Sequence, residues 1–374
     1  MDIRITRMAE LLTGYSAQIR EGDRVLIEAE TAAEPLVRAL FESVLKHGAH
    51  PFLQISLSGQ VSSTGLDDIF FEQANSDQLN HPATFRQLAY DEFEARFFIH
   101  SSSNTRSLTN IDPKRVAQRR KALKPILSTQ LERDDRGEFS WVSTLYPTAA
   151  HAQEADMSLE AYEDFVFMAC HVHTSDKNAV DYWKDIEKNQ QKWVDVFAGH
   201  DMLAVRGPNC DLRFSIKERT FINASGRRNM PDGEIFTGPV EDSVNGWIMF
   251  TLPIVFRGIE LQDVRITFEN GRALVIEAQN NQQFLIETLQ TDAGASFLGE
   301  FGIGTNYRIG RHTKNTLFDE KMGGTFHVAF GAGYPKTGSK NKSAIHWDMV
   351  CDVREESEMI LDGEVIYRDG AFLD

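Results

Sequence analysis

The spacing of apolar residues changes near residue 200, and this change restricts the chain to two halves of different architecture. Before residue 200, short apolar runs alternate with segments whose apolar residues recur every three to four positions, which indicates alternating strands and helices. After it, strand-like runs such as LRFSI, WIMFTLPIVF and RALVIEA are separated by Gly, Asn and Asp turns. We therefore predict an α/β domain over residues 1–200 and a mostly β domain of the α+β class over residues 201–374.

The segment from residue 21 to residue 57 predicts an open parallel sheet in the first half. An apolar run at residues 24–28 is followed by Pro35, a residue favoured at helix starts, and by apolar residues that recur four positions apart up to Val44. Gly48 lies where a helix C-cap belongs, and PFLQISL then returns as a second strand. A strand, a crossover helix and another strand form a parallel pair. No Gly-x-Gly-x-x-Gly follows the first strand, which argues against a dinucleotide site.

The composition excludes several classes of function. Hydrophobic residues at 41% and charged residues at 25% of 374 positions are typical of a soluble globular protein with enough apolar material for two cores. Lys and Arg number 39 against 55 acidic residues, and the net charge of −16 argues against nucleic acid or an anionic membrane as partner. The N-terminus has no secretion signal and the longest apolar run, residues 165–170, is too short to cross a bilayer, so we expect a cytoplasmic protein.

In the second half, the segment SAIHWDMVCD at residues 343–352 combines an apolar face with a polar one. If the segment is a strand, the odd-numbered residues 345–351 form the apolar face, and His346 and Asp348 point the opposite way. Residues two positions apart on a strand are about 6.6 Å apart along the backbone. The two side chains could therefore bind one cation or two neighbouring ones, or form an ordinary ion pair.

Three further segments add similar side chains. In TFHVAFG, His327 lies opposite an apolar face and between small neighbours. In PDGEIFTGP and FLGEFGIG, Glu234 and Glu300 are flanked by glycines, which allow backbone, metal or substrate to approach closely. Tyr334, seven residues after His327, could lean over such a site or simply pack within a loop. The spacing alone leaves open both a metal site and a set of satisfied polar side chains, because the candidates do not form one short motif.

Six segments of the chain form a recognisable series, in the order EGDRVLIEAETAAEPLVRAL, PDGEIFTGPVEDSVNG, LGEFGIGTN, NTLFDEK, TFHVAFGAGYP and SAIHWDMV. Together they resemble the thermophilic aminopeptidase family, the aminopeptidase T and aminopeptidase S type of metallopeptidase. The resemblance covers most of the chain and is strongest from about residue 209. It implies a hydrolase, a metallo-aminopeptidase that releases N-terminal residues from short peptides with a free N-terminus, and a homodimer with an enclosed active site.

The resemblance also implies a role for each candidate ligand. Glu234 and His327 would hold one divalent metal, His346 and Asp348 would hold a second, and Glu300 would bridge the two. Two such metals would share a water, lower its pKa and fix it for attack on the substrate carbonyl. Mixed nitrogen and oxygen ligands suit Zn, Co or Mn.

The resemblance gives Tyr334 the role of stabilising the oxyanion of the tetrahedral intermediate. A free substrate amine would bind a metal or an unpaired carboxylate such as Glu241 or Asp242. The stretch KMGGTFH and the loop with Ser339 and Lys340 depart from the family pattern without touching a predicted ligand. Because these departures concern the substrate pocket, two alternatives stay open: another two-metal amide hydrolase, and a metal-binding or ligand-binding protein without catalysis.

Overall fold

The computed structural model describes residues 2–176 and 178–373, and the chain divides into two compact units. The first unit comprises residues 1–182 and 226–231, and the second comprises residues 183–225 and 232–374. The domain boundary that we predict after residue 200 lies three residues beyond the end of the helix Ala179–Phe197 and remains a prediction. No helix in the described ranges has the length and apolar character needed to cross a membrane.

Helices and strands are numbered in chain order across the described ranges. The helices are α1 (Ile3–Leu11), α2 (Glu34–Lys46), α3 (Asp67–Gln73), α4 (Ser76–Asn80), α5 (Thr84–Glu92), α6 (Pro113–Asp135), α7 (Ala149–Glu154), α8 (Leu159–Ala169), α9 (Ala179–Phe197), α10 (Gln282–Leu289) and α11 (Thr316–Asp319). The strands are β1 (Arg24–Glu30), β2 (His50–Ser56), β3 (Ala95–His100), β4 (Ser140–Leu145), β5 (Met202–Gly207), β6 (Cys210–Ser215), β7 (Ile222–Ala224), β8 (Asn229–Met230), β9 (Glu234–Thr237), β10 (Asn245–Phe250), β11 (Ile254–Phe256), β12 (Ile259–Leu261), β13 (Val264–Glu269), β14 (Arg272–Glu277), β15 (Leu298–Gly304), β16 (Thr325–Gly331), β17 (His346–Asp352), β18 (Glu358–Leu361), β19 (Glu364–Arg368) and β20 (Ala371–Phe372).

The first unit is built on a five-stranded parallel sheet with the strand order β2-β1-β3-β4-β8. Its first β-α-β element is confirmed, since β1 and β2 pair in parallel and α2 connects them. Pro35 lies in the first turn of α2, and Leu36, Leu40 and Val44 bury one face of that helix. The last strand, β8, comes from the short return segment 226–231.

The second unit contains two larger antiparallel sheets and a small hairpin formed by β11 and β12. The eight-stranded sheet has the order β14-β13-β10-β6-β5-β18-β19-β20, and the five-stranded sheet has the order β17-β16-β15-β9-β7. A shared apolar core lies between these sheets, where the rings of Phe214 and Phe301 are 4.9 Å apart and those of Phe268 and Phe330 are 5.8 Å apart. The predicted fold class is therefore confirmed: an open parallel α/β part and a mostly β part.

The five-stranded sheet separates core residues from candidate site residues. On β16, the alternate residues 326, 328 and 330 enter the core, and on β17 the alternate residues 347, 349 and 351 do the same. Because successive side chains on a strand point to opposite faces, His327, His346 and Asp348 share the other face. The strand alternation thus brings the predicted polar side chains to one side of the sheet.

Candidate metal centre

Four adjacent strands of the five-stranded sheet bring the five predicted ligands together. The strands supply Glu234 from β9, Glu300 from β15, His327 from β16, and both His346 and Asp348 from β17. The antiparallel register aligns these positions, because Ala329 lies opposite both Glu300 and Asp348, Gly302 lies opposite His327, and Gly304 lies opposite Glu234. Their positions depend on strand pairing across more than a hundred residues of sequence.

The first group consists of Glu234, Glu300 and His327, whose potential ligand atoms all lie within 4.8 Å of one another. The Nε2 atom of His327 is 3.3 Å from Oε1 of Glu300 and 3.5 Å from Oε2 of Glu234. That Oε2 atom is buried and has no hydrogen-bond partner among the described residues. A buried carboxylate oxygen without a hydrogen bond is costly, so this position suits a metal ion.

The second group consists of Glu300, His346 and Asp348, again with ligand atoms within 4.8 Å of one another. The Nε2 atom of His346 is 3.5 Å from Oε2 of Glu300 and 3.4 Å from Oδ1 of Asp348. Glu300 therefore belongs to both groups, with Oε1 facing His327 and Oε2 facing His346. This arrangement has the donor atoms for two neighbouring cations that share one carboxylate.

The rings of both histidines are oriented by backbone carbonyls. Nδ1 of His327 lies 3.0 Å from the carbonyl oxygen of Glu320, and Nδ1 of His346 lies 2.8 Å from that of Ala332. Because a carbonyl oxygen only accepts, each Nδ1 must donate a proton. In the neutral imidazole, Nε2 then presents its lone pair to the carboxylates, which is the usual arrangement of a metal-binding histidine.

Gly302 provides the space that the ring of His327 occupies. A Cβ atom at Gly302 would lie 2.5 Å from Nε2 of His327 and would meet Cε1 even more closely. Ordinary van der Waals contact begins at about 3.4 Å, so no side chain fits at this position while the imidazole stays in place. Gly302, two positions after the predicted ligand Glu300, thus leaves room for the imidazole ring of His327.

The electrostatics of the cluster favour bound positive charge. Burial opposes protonation of His327, but the hydrogen bond with Glu300 and the charge of Glu234 together raise the pKa of His327 to about 9. Burial likewise opposes protonation of His346, whereas Asp348 and Glu300 raise its pKa to about 10. Burial also raises the pKa of Glu234. The carboxylates therefore need positive charge nearby, either as protons on the imidazoles or as bound cations.

Two charged residues beside the cluster, Glu320 and Lys321, had no predicted role. Lys321 is completely buried and forms ion pairs with Glu320 and with Oε1 of Glu234, the latter at 3.6 Å. In the sequence, these residues follow a short helical pattern in NTLFDEK, where adjacent charges normally lie at the surface. No local pattern could therefore have identified their burial.

Tyr334 lies next to the cluster, just after the end of β16. Its ring contacts the ring of His346 edge to face, with centroids 5.4 Å apart, and the side chain remains 45% exposed. Neighbouring groups remove water from the phenol, and this desolvation, together with the negative charges of Glu300 and Asp348, raises the pKa of Tyr334 above its ordinary value. The phenol therefore keeps its proton and is available as a hydrogen-bond donor beside the cluster.

The suggestion that Glu241 is an unpaired carboxylate is wrong. Its Oε2 atom pairs with Nη2 of Arg219 at 2.7 Å, and its Oε1 atom accepts a hydrogen bond from the backbone N–H of Lys340 at 2.5 Å. These contacts satisfy the charge of Glu241 within the protein. Asp242 lies exposed in the same turn.

Comparison with known sequences identifies relatives along nearly the whole chain. A family model described as thermophilic metalloprotease (M29) matches residues 1–372. Aminopeptidase AmpS from Bacillus subtilis is 25% identical over 355 residues, which cover 88% of this chain and 84% of that protein. Aminopeptidase T from Thermus thermophilus is 24% identical over 403 residues, which cover 98% of this chain and 95% of that protein.

Two solved structures share the fold. Wild-type AmpT from Thermus thermophilus matches with a TM-score of 0.84 at 21% identity, covering 99% of each chain. A 2,5-dihydroxypyridine dioxygenase from Pseudomonas putida KT2440 matches with a TM-score of 0.60 at 15% identity, covering 99% of this chain and 96% of that one. Because proteins named for such different reactions share the architecture, fold alone does not define the chemistry, and the side chains of the site must do so.

Proposed function

The chain belongs to the thermophilic metalloprotease (M29) family and is a metal-dependent aminopeptidase, and we propose that it uses two divalent metal ions held by Glu234, Glu300, His327, His346 and Asp348. The observation that carries this proposal is the position of Glu300, whose two oxygens face two different histidines. A carboxylate placed in this way is suited to bridge two cations. The substrate would be a short peptide with a free N-terminus.

The remaining ligands divide between the two positions. Glu234 and His327 would hold one metal, and His346 and Asp348 would hold the other. The buried, unbonded Oε2 atom of Glu234 and the carbonyl-oriented rings of both histidines support this assignment. Mixed nitrogen and oxygen donors favour Zn, Co or Mn among the divalent metals.

The chemistry follows from the positions of these groups. When bound, the metals would supply Lewis-acid polarisation of the peptide carbonyl and an activated water. The protein keeps both Nε2 lone pairs directed at the cluster through the Nδ1 contacts, so the donor geometry is set before substrate arrives. Tyr334 would donate its phenolic proton to the oxyanion that develops on the substrate carbonyl. Removing one such donor typically lowers kcat by about 10²- to 10³-fold.

The sequence offered a metal, Glu241 or Asp242 as the partner of the substrate amine, and the structure removes Glu241 from this set. Because Glu241 is occupied by Arg219, of the two acids in this turn only Asp242 is left to pair with the amine. Direct binding of the amine to a metal is the other route. Either route requires a free amine, since an acylated nitrogen has no positive charge and is a poor metal ligand.

We further propose that the protein is a cytoplasmic homodimer. Cys210 and Cys351 are buried and form no disulfide bond, which is usual in a reducing compartment. The homodimer follows from the family resemblance. Sedimentation equilibrium of the full chain tests it directly, because a single species of 42.3 kDa would contradict it.

Hydrolysis by reconstituted protein tests the proposal. The chain would be stripped of metal, reloaded separately with Zn, Co or Mn, and assayed on aminoacyl anilides with free or acetylated amines. We expect turnover that requires metal and a free amine and that disappears in Glu300→Gln and His346→Ala. His200→Ala is the control, because that exposed histidine of the same unit contacts Asp362 at 2.9 Å and none of the predicted ligands. Protein that binds two metals and hydrolyses only simple amides, or nothing, would contradict the peptide substrate.

A further inference from the structure

A fully buried lysine lies inside the proposed metal centre. Lys321 has no exposed surface and pairs with Glu320 and Glu234. The charge of the nearby buried Asp232 also acts on this ammonium group. A buried ammonium group is stable only among acidic partners, so its positive charge is a fixed feature of the folded chain.

Among the ligands, Lys321 forms an ion pair only with Glu234 of the first group, and its charge also acts on Asp348 of the second group without an ion pair. The carboxylate of Glu234 stands between the ammonium group and His327, with Oε1 facing Lys321 at 3.6 Å and Oε2 facing His327 at 3.5 Å. A cation bound by Glu234 and His327 would therefore share that carboxylate with Lys321. By contrast, the ion pairs of His346 among the described residues involve only Glu300 and Asp348.

We propose that Lys321 is a built-in counter-cation that weakens metal binding at the Glu234–Glu300–His327 position, so that the two positions fill in a fixed order. This inference rests on the two-metal centre proposed above. Glu300, His346 and Asp348 bind the first metal, and the position beside Lys321 binds the second with lower affinity. Lys321 is a positioning residue in this scheme, since it acts through Glu234 and does not touch the substrate.

The charge of the cluster supports this order. With neutral histidines, five carboxylates around Lys321 carry five negative charges, and Lys321 offsets one of them; they belong to Asp232, Glu234, Glu300, Glu320 and Asp348. The first divalent ion leaves two excess negative charges, and the second removes them. The second ion therefore binds in a weaker attractive field than the first, and repulsion between two ions a few ångströms apart in a buried site opposes it further.

Titration of the metal-free full chain with Zn by calorimetry, with metal content measured after dialysis, tests the inference. For the wild type, we expect two binding steps whose dissociation constants differ by at least about tenfold. Asp348→Asn should weaken the tight step, and Glu234→Gln should weaken the other. Lys321→Met, which has similar length and no charge, should tighten the weak step by roughly 10- to 100-fold and the tight step by clearly less, because Lys321 forms its ion pair with Glu234 and not with Asp348. Lys340→Met, an exposed lysine of the same unit, is the matched control and should change neither step.

A charge-balanced variant keeps the test decisive if Lys321→Met does not fold. Lys321→Met combined with Glu320→Gln removes one positive and one negative charge, so we expect the weak step to return close to its wild-type affinity. Two equal dissociation constants in the wild type, unchanged in Lys321→Met, would overturn the inference and leave the metal centre intact. Absence of any Zn binding by the wild type would instead overturn the metal centre itself.

Discussion

The substitution Gly302→Ala tests whether the ring of His327 must remain in its observed position. The added Cβ would lie 2.5 Å from Nε2 of His327, and ordinary contact begins at 3.4 Å, so the ring must withdraw by at least about 0.9 Å. Metal–ligand distances tolerate errors of only about 0.2 Å. The alanine therefore prevents His327 from binding a metal together with Glu234 and Glu300, and it should do so without changing the charge of the site.

The expected effects of Gly302→Ala are large on function and moderate on stability. A misplacement of about 1 Å typically lowers catalysis about 100-fold, so we expect kcat/KM to fall by at least that factor. Inserting one methyl group into a packed site costs about 1–3 kcal/mol in the free energy of unfolding. Metal content by mass spectrometry, kcat/KM on an aminoacyl anilide and urea unfolding measure the three quantities.

Gly310→Ala is the matched control, because nothing lies within 4 Å of a Cβ atom built at that glycine of the same unit. It should leave metal content, kcat/KM and stability close to those of the wild type. Gly302→Ala protein that is folded, binds two equivalents of metal and retains full activity would refute the requirement for the observed position of His327.

Three other substitutions test separate parts of the argument. Tyr334→Phe should lower kcat by about 10²- to 10³-fold with unchanged metal content, because the oxyanion loses its donor; an equal loss of metal would contradict that role. Glu28→Gln should lower the free energy of unfolding by about 3–5 kcal/mol in urea, because it leaves the partly buried Arg86 and the buried Arg96 without their carboxylate. Burial lowers the pKa of His151 to about 4, so the folded state binds fewer protons than the unfolded state, and stability should fall as the pH drops from about 6.5 toward 4. His151→Gln should reduce that pH dependence in urea unfolding, and an unchanged slope would refute the assignment.

The sequence was informative wherever a local pattern carries the information. The strand period of two predicted that His346 and Asp348 share a face, and the pattern of β1, α2 and β2 predicted a parallel pair. By contrast, Lys321 lies beside Glu234 only because the chain folds back over 87 positions. The pairing of Glu241 with Arg219 and the return of β8 to the first sheet likewise depend on tertiary contacts. Such contacts have no local periodicity, so a single sequence does not reveal them.

The same strand alternation explains how the chain can place so many carboxylates in one buried region. The core face of β15, β16 and β17 is apolar and packs against the other sheet. The carboxylates lie only on the opposite face, so the unfavourable free energy of burying them does not affect the apolar core. On that face, the ammonium group of Lys321 and the protonated forms of His327 and His346 supply positive charge from within the protein. These groups offset part of the negative charge of the acids when no cation is bound. Metal binding must displace protons from the imidazoles, and only the charge of Lys321 stays in place throughout.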